Sequence, residues 1–227
     1  MINMAYLSSL IGKTVELEIS GQIHRLGILI DYSPDIIVLY DGTHYLYIAF
    51  GHIRNVRLAL KPLPQTSEYT YEPADTITED ELTYRKILNE SIGMLIQVYL
   101  SSNQSVYGYI TKVLTDYVVF QSSVYKTLFI PIFHLKWLIP YPENKAPYTI
   151  IKEALPIAPS QFRLAGTFEE QLRSFEGKMV VFDGGASTDK IGLLKTIQNH
   201  MAEIITADQK ELYWNIHHIK MVSVPEL

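Results

Sequence analysis

A pair of glycines recurs three times along this 227-residue sequence: Gly12 and Gly27, Gly93 and Gly108, Gly177 and Gly192, each pair 15 residues apart. A histidine follows the second glycine by 25 or 26 residues, at His52, His134 and His218. An aliphatic residue and a cation come next in every copy: Ile53-Arg54, Leu135-Lys136 and Ile219-Lys220. Self-similarity at a fixed period constrains a fold strongly, because every copy is one structural unit with the same packing problem to solve.

Four hydrophobic runs separate the markers in each copy. The first holds Val15, Leu17 and Ile19 in alternation, matched by residues 95–100 and by Met179-Val180-Val181-Phe182. Ile28-Leu29-Ile30, Tyr109-Ile110 and Leu193-Leu194 form the second. Ile36-Ile37-Val38-Leu39, Tyr117-Val118-Val119-Phe120 and Ala202-Glu203-Ile204-Ile205 form the third. The fourth, Tyr45-Leu46-Tyr47-Ile48, Leu128-Phe129-Ile130 and Leu212-Tyr213-Trp214, precedes the histidine. Short apolar runs bounded by Ser20-Gly21, Ser33-Pro34-Asp35, Asp183-Gly184-Gly185 and Asp208-Gln209 read as strands and turns. Asp41-Gly42 is the sharpest hairpin signal, since both residue types tolerate positive φ. Sixteen tyrosines point the same way.

Each copy thus predicts four or five strands in ~50 residues. A sheet that small is expected to close into a strongly bent barrel, because an open one leaves unpaired edges. Short helices are expected ahead of the later copies. Thr78 with Glu81 and Thr167 with Glu170 fit the capping box, and Leu82, Ile87, Leu88 and Ile92, then Phe168, Leu172 and Phe175, suit one buried helix face. The first copy has only the stub 4–10. The fold class is all-β with short capping helices, divided into a barrel at 1–58, an acidic proline-containing linker at 59–77, a barrel with its helix at 78–140, a proline-rich linker or strap at 141–166, and a third barrel with its helix at 167–227. Tyr148-Thr149-Ile150-Ile151 is expected to lie extended on a barrel face.

Charge narrows the function classes. The net charge is −5, yet residues 65–81 hold six carboxylates (Glu68, Glu72, Asp75, Glu79, Asp80, Glu81) and no Lys or Arg. Without them the chain sits at −5 + 6, or +1, so no basic stripe offers itself to phosphates and nucleic acid is a poor partner. The absence of cysteine excludes disulfides and thiolate-bound metals. The first residues lack the basic and apolar regions of a signal peptide, and no apolar run reaches the ~18 residues of a membrane span. Synthesis and retention in the cytoplasm are therefore expected.

No enzyme motif is present. There is no Gly-x-Ser-x-Gly elbow and no phosphate-cradling glycine loop, and Gly184-Gly185 reads as a tight turn. We assign no catalytic residue, no cofactor and no metal. His52, His134 and His218 lie in separate copies without carboxylates or histidines at helical ligand spacing, and His217 and His218 would point to opposite faces of a strand. The expected role of the repeated histidine is structural, bonding backbone at the turn into the last strand. The tyrosines are expected to half-bury their rings and leave the hydroxyls wet.

The helix-plus-five-strand plan, with Gly27-Ile28-Leu29-Ile30-Asp31 followed by Val38-Leu39, resembles the first signature of Sm-like barrels. More specifically, two stretches of the third copy resemble the repeats of the spore coat protein B family of endospore-forming bacteria. One is Asp183-Gly184-Gly185-Ala186-Ser187-Thr188-Asp189-Lys190-Ile191-Gly192-Leu193-Leu194; the other is Tyr213-Trp214-Asn215-Ile216-His217-His218-Ile219-Lys220-Met221-Val222-Ser223. The first copy keeps Tyr47, His52-Ile53 and Val56, and the second keeps His134 and Leu135-Lys136. The resemblance implies three tandem Sm-like barrels and a non-enzymatic structural or assembly protein of the spore coat. It implies deposition from the mother-cell cytoplasm, other coat proteins as partners, and homo-oligomers through barrel edge strands, either a closed pseudo-trimer or half of a six-barrel ring. The family's Ser- and Lys-rich tail has no counterpart before Leu227, so no role resting on that tail carries over. The alternative is a diverged Sm-like RNA-binding regulator. Against it, the first loop, Asp31-Tyr32-Ser33-Pro34-Asp35-Ile36, lacks the asparagine of RNA-binding barrels. The corresponding loops are Thr115-Asp116-Tyr117 and Asn199-His200-Met201, and His-Ile-Arg, His-Leu-Lys and His-Ile-Lys replace the Arg-Gly step.

Overall fold

The structure, a computed structural model, describes residues 4–61, 82–101, 104–141 and 162–225. The acidic window 65–81, the capping pattern beginning at Thr78 and the stretch Tyr148-Thr149-Ile150-Ile151 lie outside the described residues, as do Ser102 and Asn103. The same succession of elements occurs three times. The first comprises α1 (Met4–Ser8), β1 (Thr14–Ile19), β2 (Ile23–Tyr32), β3 (Ile36–Tyr40), β4 (Tyr45–Ala49), a 3-10 turn (Phe50–His52) and β5 (Ile53–Leu58). Next come α2 (Tyr84–Glu90), β6 (Leu95–Leu100), β7 (Ser105–Val113), β8 (Tyr117–Ser122), β9 (Lys126–Pro131), a 3-10 turn (Ile132–His134) and β10 (Leu135–Pro140). The last has α3 (Phe168–Arg173), β11 (Met179–Phe182), β12 (Ile191–Gln198), β13 (Met201–Ile205), β14 (Glu211–Asn215), a 3-10 turn (Ile216–His218) and β15 (Val222–Ser223). The expected all-β class is what the structure shows.

Hydrogen bonding joins the fifteen described strands into one antiparallel sheet. Its order is β14-β13-β12-β11-β15-β9-β8-β7-β6-β10-β4-β3-β2-β1-β5. Each group of five runs fourth, third, second, first, fifth. The expectation that every copy closes on itself to remove its edges needs correction. β4 pairs with β10 and β9 with β15, so an outer strand is satisfied by the neighbouring unit rather than by its own. Edge strands demand a partner, and a tandem chain supplies one without the curvature that closing five strands would require.

The second glycine of each copy permits a close approach of two strands. A Cβ at Gly27, Gly108 or Gly192 would lie 2.6, 2.0 or 2.5 Å from the carbonyl oxygen of Tyr40, Gln121 or Ile205 on the adjacent strand. A register shift follows at Leu29/Asp31, Ile110/Lys112 and Leu194/Thr196, and such bulges bend a strand. Asp41-Gly42 turns the chain differently from expectation, since only Gly42 has positive φ (99°). Asp41 instead accepts bonds from the Thr43 and His44 amides at 2.9 and 2.8 Å, so its carboxylate organises the loop.

Thr167 and Glu170 form the expected capping box at α3, with Phe168, Leu172 and Phe175 buried. The cap of α2 that the structure describes is Thr83, which accepts from Lys86 N at 3.1 Å. Leu88 is buried there, but Ile92 lies beyond the helix and is exposed.

Continuous apolar third strands follow from the shared sheet. Ile37 and Leu39 face the core of their own unit, while Ile36 and Val38 face the core of the second unit. Val118 and Phe120 likewise face inward, while Tyr117 and Val119 join the core of the third. Side chains alternate across a strand, so burial on both faces needs apolar residues at every position.

Candidate functional site

The repeated histidine stands where one unit meets the next. Its position on the 3-10 turn between the fourth and fifth strands brings the ring against both. His52 Nε2 donates to the carbonyl oxygen of Phe133 at 2.9 Å, across the joint between the first and second units. Its Nδ1 is 3.0 Å from Ser20 Oγ. His134 repeats the arrangement across the second joint, with Nε2 3.0 Å from the His217 carbonyl and Nδ1 2.6 Å from Ser101 Oγ. A carbonyl only accepts, so Nε2 carries the proton, and the serine hydroxyl donates to Nδ1 of the neutral ring.

Burial sets the charge state. His134 is 7% exposed, and desolvation, aided by nearby Lys220 and opposed by the His217 carbonyl and Asp183, pushes its pKa down to about 4. His52 is lowered in the same direction, by burial first, with the Phe133 carbonyl opposing and Lys136 adding to the shift. Lys136 itself is buried and reaches into the first unit, donating to Ser20 O at 2.8 Å. Burial lowers its pKa as well.

Two further contacts recur at both joints. Asp35 accepts the Tyr84 amide at 3.0 Å, and Asp116 accepts the Phe168 amide at 2.7 Å. The loop after the second strand therefore holds the first turn of the next unit's helix. Asp116→Ala is expected to lower stability by about 1.5–3 kcal/mol, the range for a bond to a charged acceptor. Urea unfolding measures this; an unchanged midpoint would show that Thr167 alone secures the helix. Apolar contact adds to the first joint. Trp137 and Ile139 of β10 enter the core of the first unit, and the Trp137 ring stacks on Tyr99 at 3.9 Å under the Arg25 guanidinium. Trp137 pairs with Ile48 and Leu138 with Tyr47; at the second joint Val222 pairs with Phe129, the same register position.

The third histidine differs. His218 is exposed, and its ring makes no hydrogen bond among the described residues. His217 and His218 sit on a 3-10 turn rather than a strand, which corrects the expectation of opposite faces. Asp183, directly after β11, holds the chain that follows this histidine. It is buried, accepts the Lys220 amide at 2.7 Å and pairs with the Lys190 ammonium. Among the described residues no group of three or more His, Cys, Asp or Glu could hold a metal ion. No described helix is long and apolar enough to cross a membrane.

The first glycines, Gly12, Gly93 and Gly177, have φ of 75–80° and lie at the turn between helix and first strand, away from the joints. Gly27, Gly108 and Gly192 bend the second strands. The serines and aspartates of the joints escaped the reading of the sequence. Their signal was present, because Ser20 and Ser101 follow the first glycine by eight residues, and Asp35 and Asp116 follow the second by eight. The third copy breaks both rules with Gly185 and His200, and a pattern seen twice is easily passed over.

Comparison with known proteins places the chain. It is 38% identical over 225 residues to the uncharacterized protein YwrJ of Bacillus subtilis (strain 168), a match covering 98% of this chain and 100% of that one. The chain belongs to the YwrJ family. A family model described as the YwrJ third domain matches residues 167–222, the stretch from the cap of α3 to the start of β15. A second relative is spore coat protein B of the same organism, 28% identical over 149 residues, or 66% of this chain and 37% of that protein. The chain is thus similar to a coat protein over part of its length.

Proposed function

We propose that this protein is a non-enzymatic structural or assembly component of the bacterial spore coat, acting through protein–protein contacts. The likeness to spore coat protein B carries the reading. The architecture supports it in kind. The repeated polar residues are spent on holding unit to unit: Ser20, Ser101, His52 and His134 bond across or beside joints, and Asp35 and Asp116 clamp helices. In the same reading each unit follows the Sm-like plan, with its fourth and fifth strands paired to neighbouring units rather than to each other at the joints. A helix, a fifth strand beside the first and a bulge after a close-packed glycine support that likeness. RNA binding gains no support, because the loops that would contact bases are engaged at Asp35 and Asp116 with the next unit's helix.

A fluorescent fusion followed through sporulation tests the proposal. Fluorescence is expected to gather on the forming spore as the coat assembles. Signal that stays diffuse in the mother cell throughout would overturn the coat assignment.

A further inference from the structure

The second joint holds a neutral ring in a corner that already carries surplus positive charge. His134 is buried there, and Lys220 and Asp183 of the third unit and His52 of the first act on its charge. Asp183 is shared, since it pairs with Lys190 and lies 3.7 Å from the Lys220 ammonium. Two lysines on one carboxylate leave the corner net positive before the imidazole takes up a proton. We propose that the joint between the second and third units is an acid-operated hinge: protonation of His134 shifts it toward an open state while the strand ladders inside each unit stay paired.

The hydrogen bonds by themselves survive protonation. Nε2 still donates to the His217 carbonyl, and Ser101 Oγ can accept from Nδ1 while turning its own proton to His134 O, 3.4 Å away. What the corner resists is the charge. Facing the ring are the Ser101 hydroxyl, the His217 carbonyl, Lys220, Asp183 and His52, and among these described groups only Asp183 is negative. Lys136, two residues along, turns away to Ser20 O in the first unit. The Phe133 ring, with its centre 4.0 Å from that of the imidazole, adds an apolar cover. Opening the joint returns the imidazole to water, where a protonated ring is hydrated at no such cost.

The second joint is also the thinner of the two. β15 has two residues and offers one register pair, Val222 with Phe129, whereas β10 has six and offers two, Trp137 with Ile48 and Leu138 with Tyr47. The first joint sends Trp137 and Ile139 into the preceding unit's core; at the second, Met221 goes there. Tyr117, Val119 and Phe129, buried in the third unit's core, hold the joint shut at neutral pH. Opening of this kind is local, and it separates Val119 from the third unit without disturbing Val118, its neighbour on β8, which faces the core of the second.

Thiol labelling of the full chain tests it. The chain has no cysteine, so Val119→Cys and Val118→Cys each place a single thiol, one in the joint and one in the second unit's own core. Both are labelled with dithiodipyridine at pH 7 and at pH 5, where ordinary carboxylates stay ionised, and each rate is divided by that of the urea-unfolded chain at the same pH. Val119→Cys is expected to label faster than Val118→Cys at both pH values. Its normalised rate is expected to rise about 20-fold from pH 7 to pH 5, the ratio that linkage gives for a ring titrating at about 4 when closed and near 6.5 when open. His134→Gln is expected to abolish that rise. Equal labelling of the two cysteines would mean that the joint opens only when the whole chain unfolds, and overturns the proposal. So does an absent rise at Val119→Cys, or one that persists with His134→Gln. Should His134→Gln fail to fold, Lys220→Met decides: with one cation gone the closed ring protonates more readily, so the rise is expected to shrink, and an undiminished rise overturns the hinge.

Discussion

Gly108→Ala is expected to be among the most damaging single substitutions in this protein, costing about 3–5 kcal/mol. An added Cβ would lie 2.0 Å from the Gln121 carbonyl oxygen and 2.8 Å from Phe120 Cε1. The first of these is backbone, held in the β7–β8 ladder between Tyr109 and Gln121, so it has no rotamer to escape into. Relief requires the two strands to part in the middle of the sheet, next to a core that includes Phe120 and Ile110. Gly192→Ala (2.5 Å from Ile205 O) and Gly27→Ala (2.6 Å from Tyr40 O) should follow in that order. Gly51→Ala is the matched control, since nothing lies within 4 Å of its Cβ, and its effect should stay within about 0.5 kcal/mol. The measurement is the denaturant midpoint of each variant. Equal midpoints for Gly108→Ala and Gly51→Ala would show that the strands do not approach as described.

Acid is expected to weaken the array through its histidines before most carboxylates titrate. His134 is neutral in the folded chain down to about pH 4, and in the unfolded chain it protonates near 6.5. The sign follows from the depressed folded value. Between these two pH values the unfolded state binds the proton and the folded state does not, so stability falls as pH falls. The contribution is complete above pH 6.5, is lost progressively down to about pH 4, and is flat below. At roughly 1.4 kcal/mol per unit, a difference of about 2.5 units removes about 3 kcal/mol. His52 shifts in the same direction and adds to the slope. Urea titrations of the parent and His134→Gln from pH 7 to pH 4 measure it. Gln retains a donor for the His217 carbonyl but has no proton to take up. Its stability should therefore change less over this range, by about 3 kcal/mol. Identical slopes would show that His134 does not stay neutral at the joint.

These effects meet at the joints. At both internal joints the repeated histidine and aspartate hold neighbouring units together. His52, His134, Lys136, Asp35 and Asp116 are spent on that contact, and no described cluster of ligating side chains is left over for a metal.

The sequence by itself determined the strands and their threefold recurrence. Alternation at Val15, Leu17 and Ile19, the apolar runs and the paired glycines are local signals, and a strand's pattern of burial is written in its own residues. It also determined the capping box at Thr167, because such a cap closes within four residues. Only the tertiary structure decided where the edges go. That β10 lies beside β4, that Ile36 and Val38 serve a neighbour's core, and that the marker histidine bonds a carbonyl some 81 residues away are non-local facts. The repeat announced that each copy would carry a histidine after its fourth strand. Whether that ring would turn inward or reach across to the next copy depended on which edges met, and no residue within one copy encodes its neighbour's position.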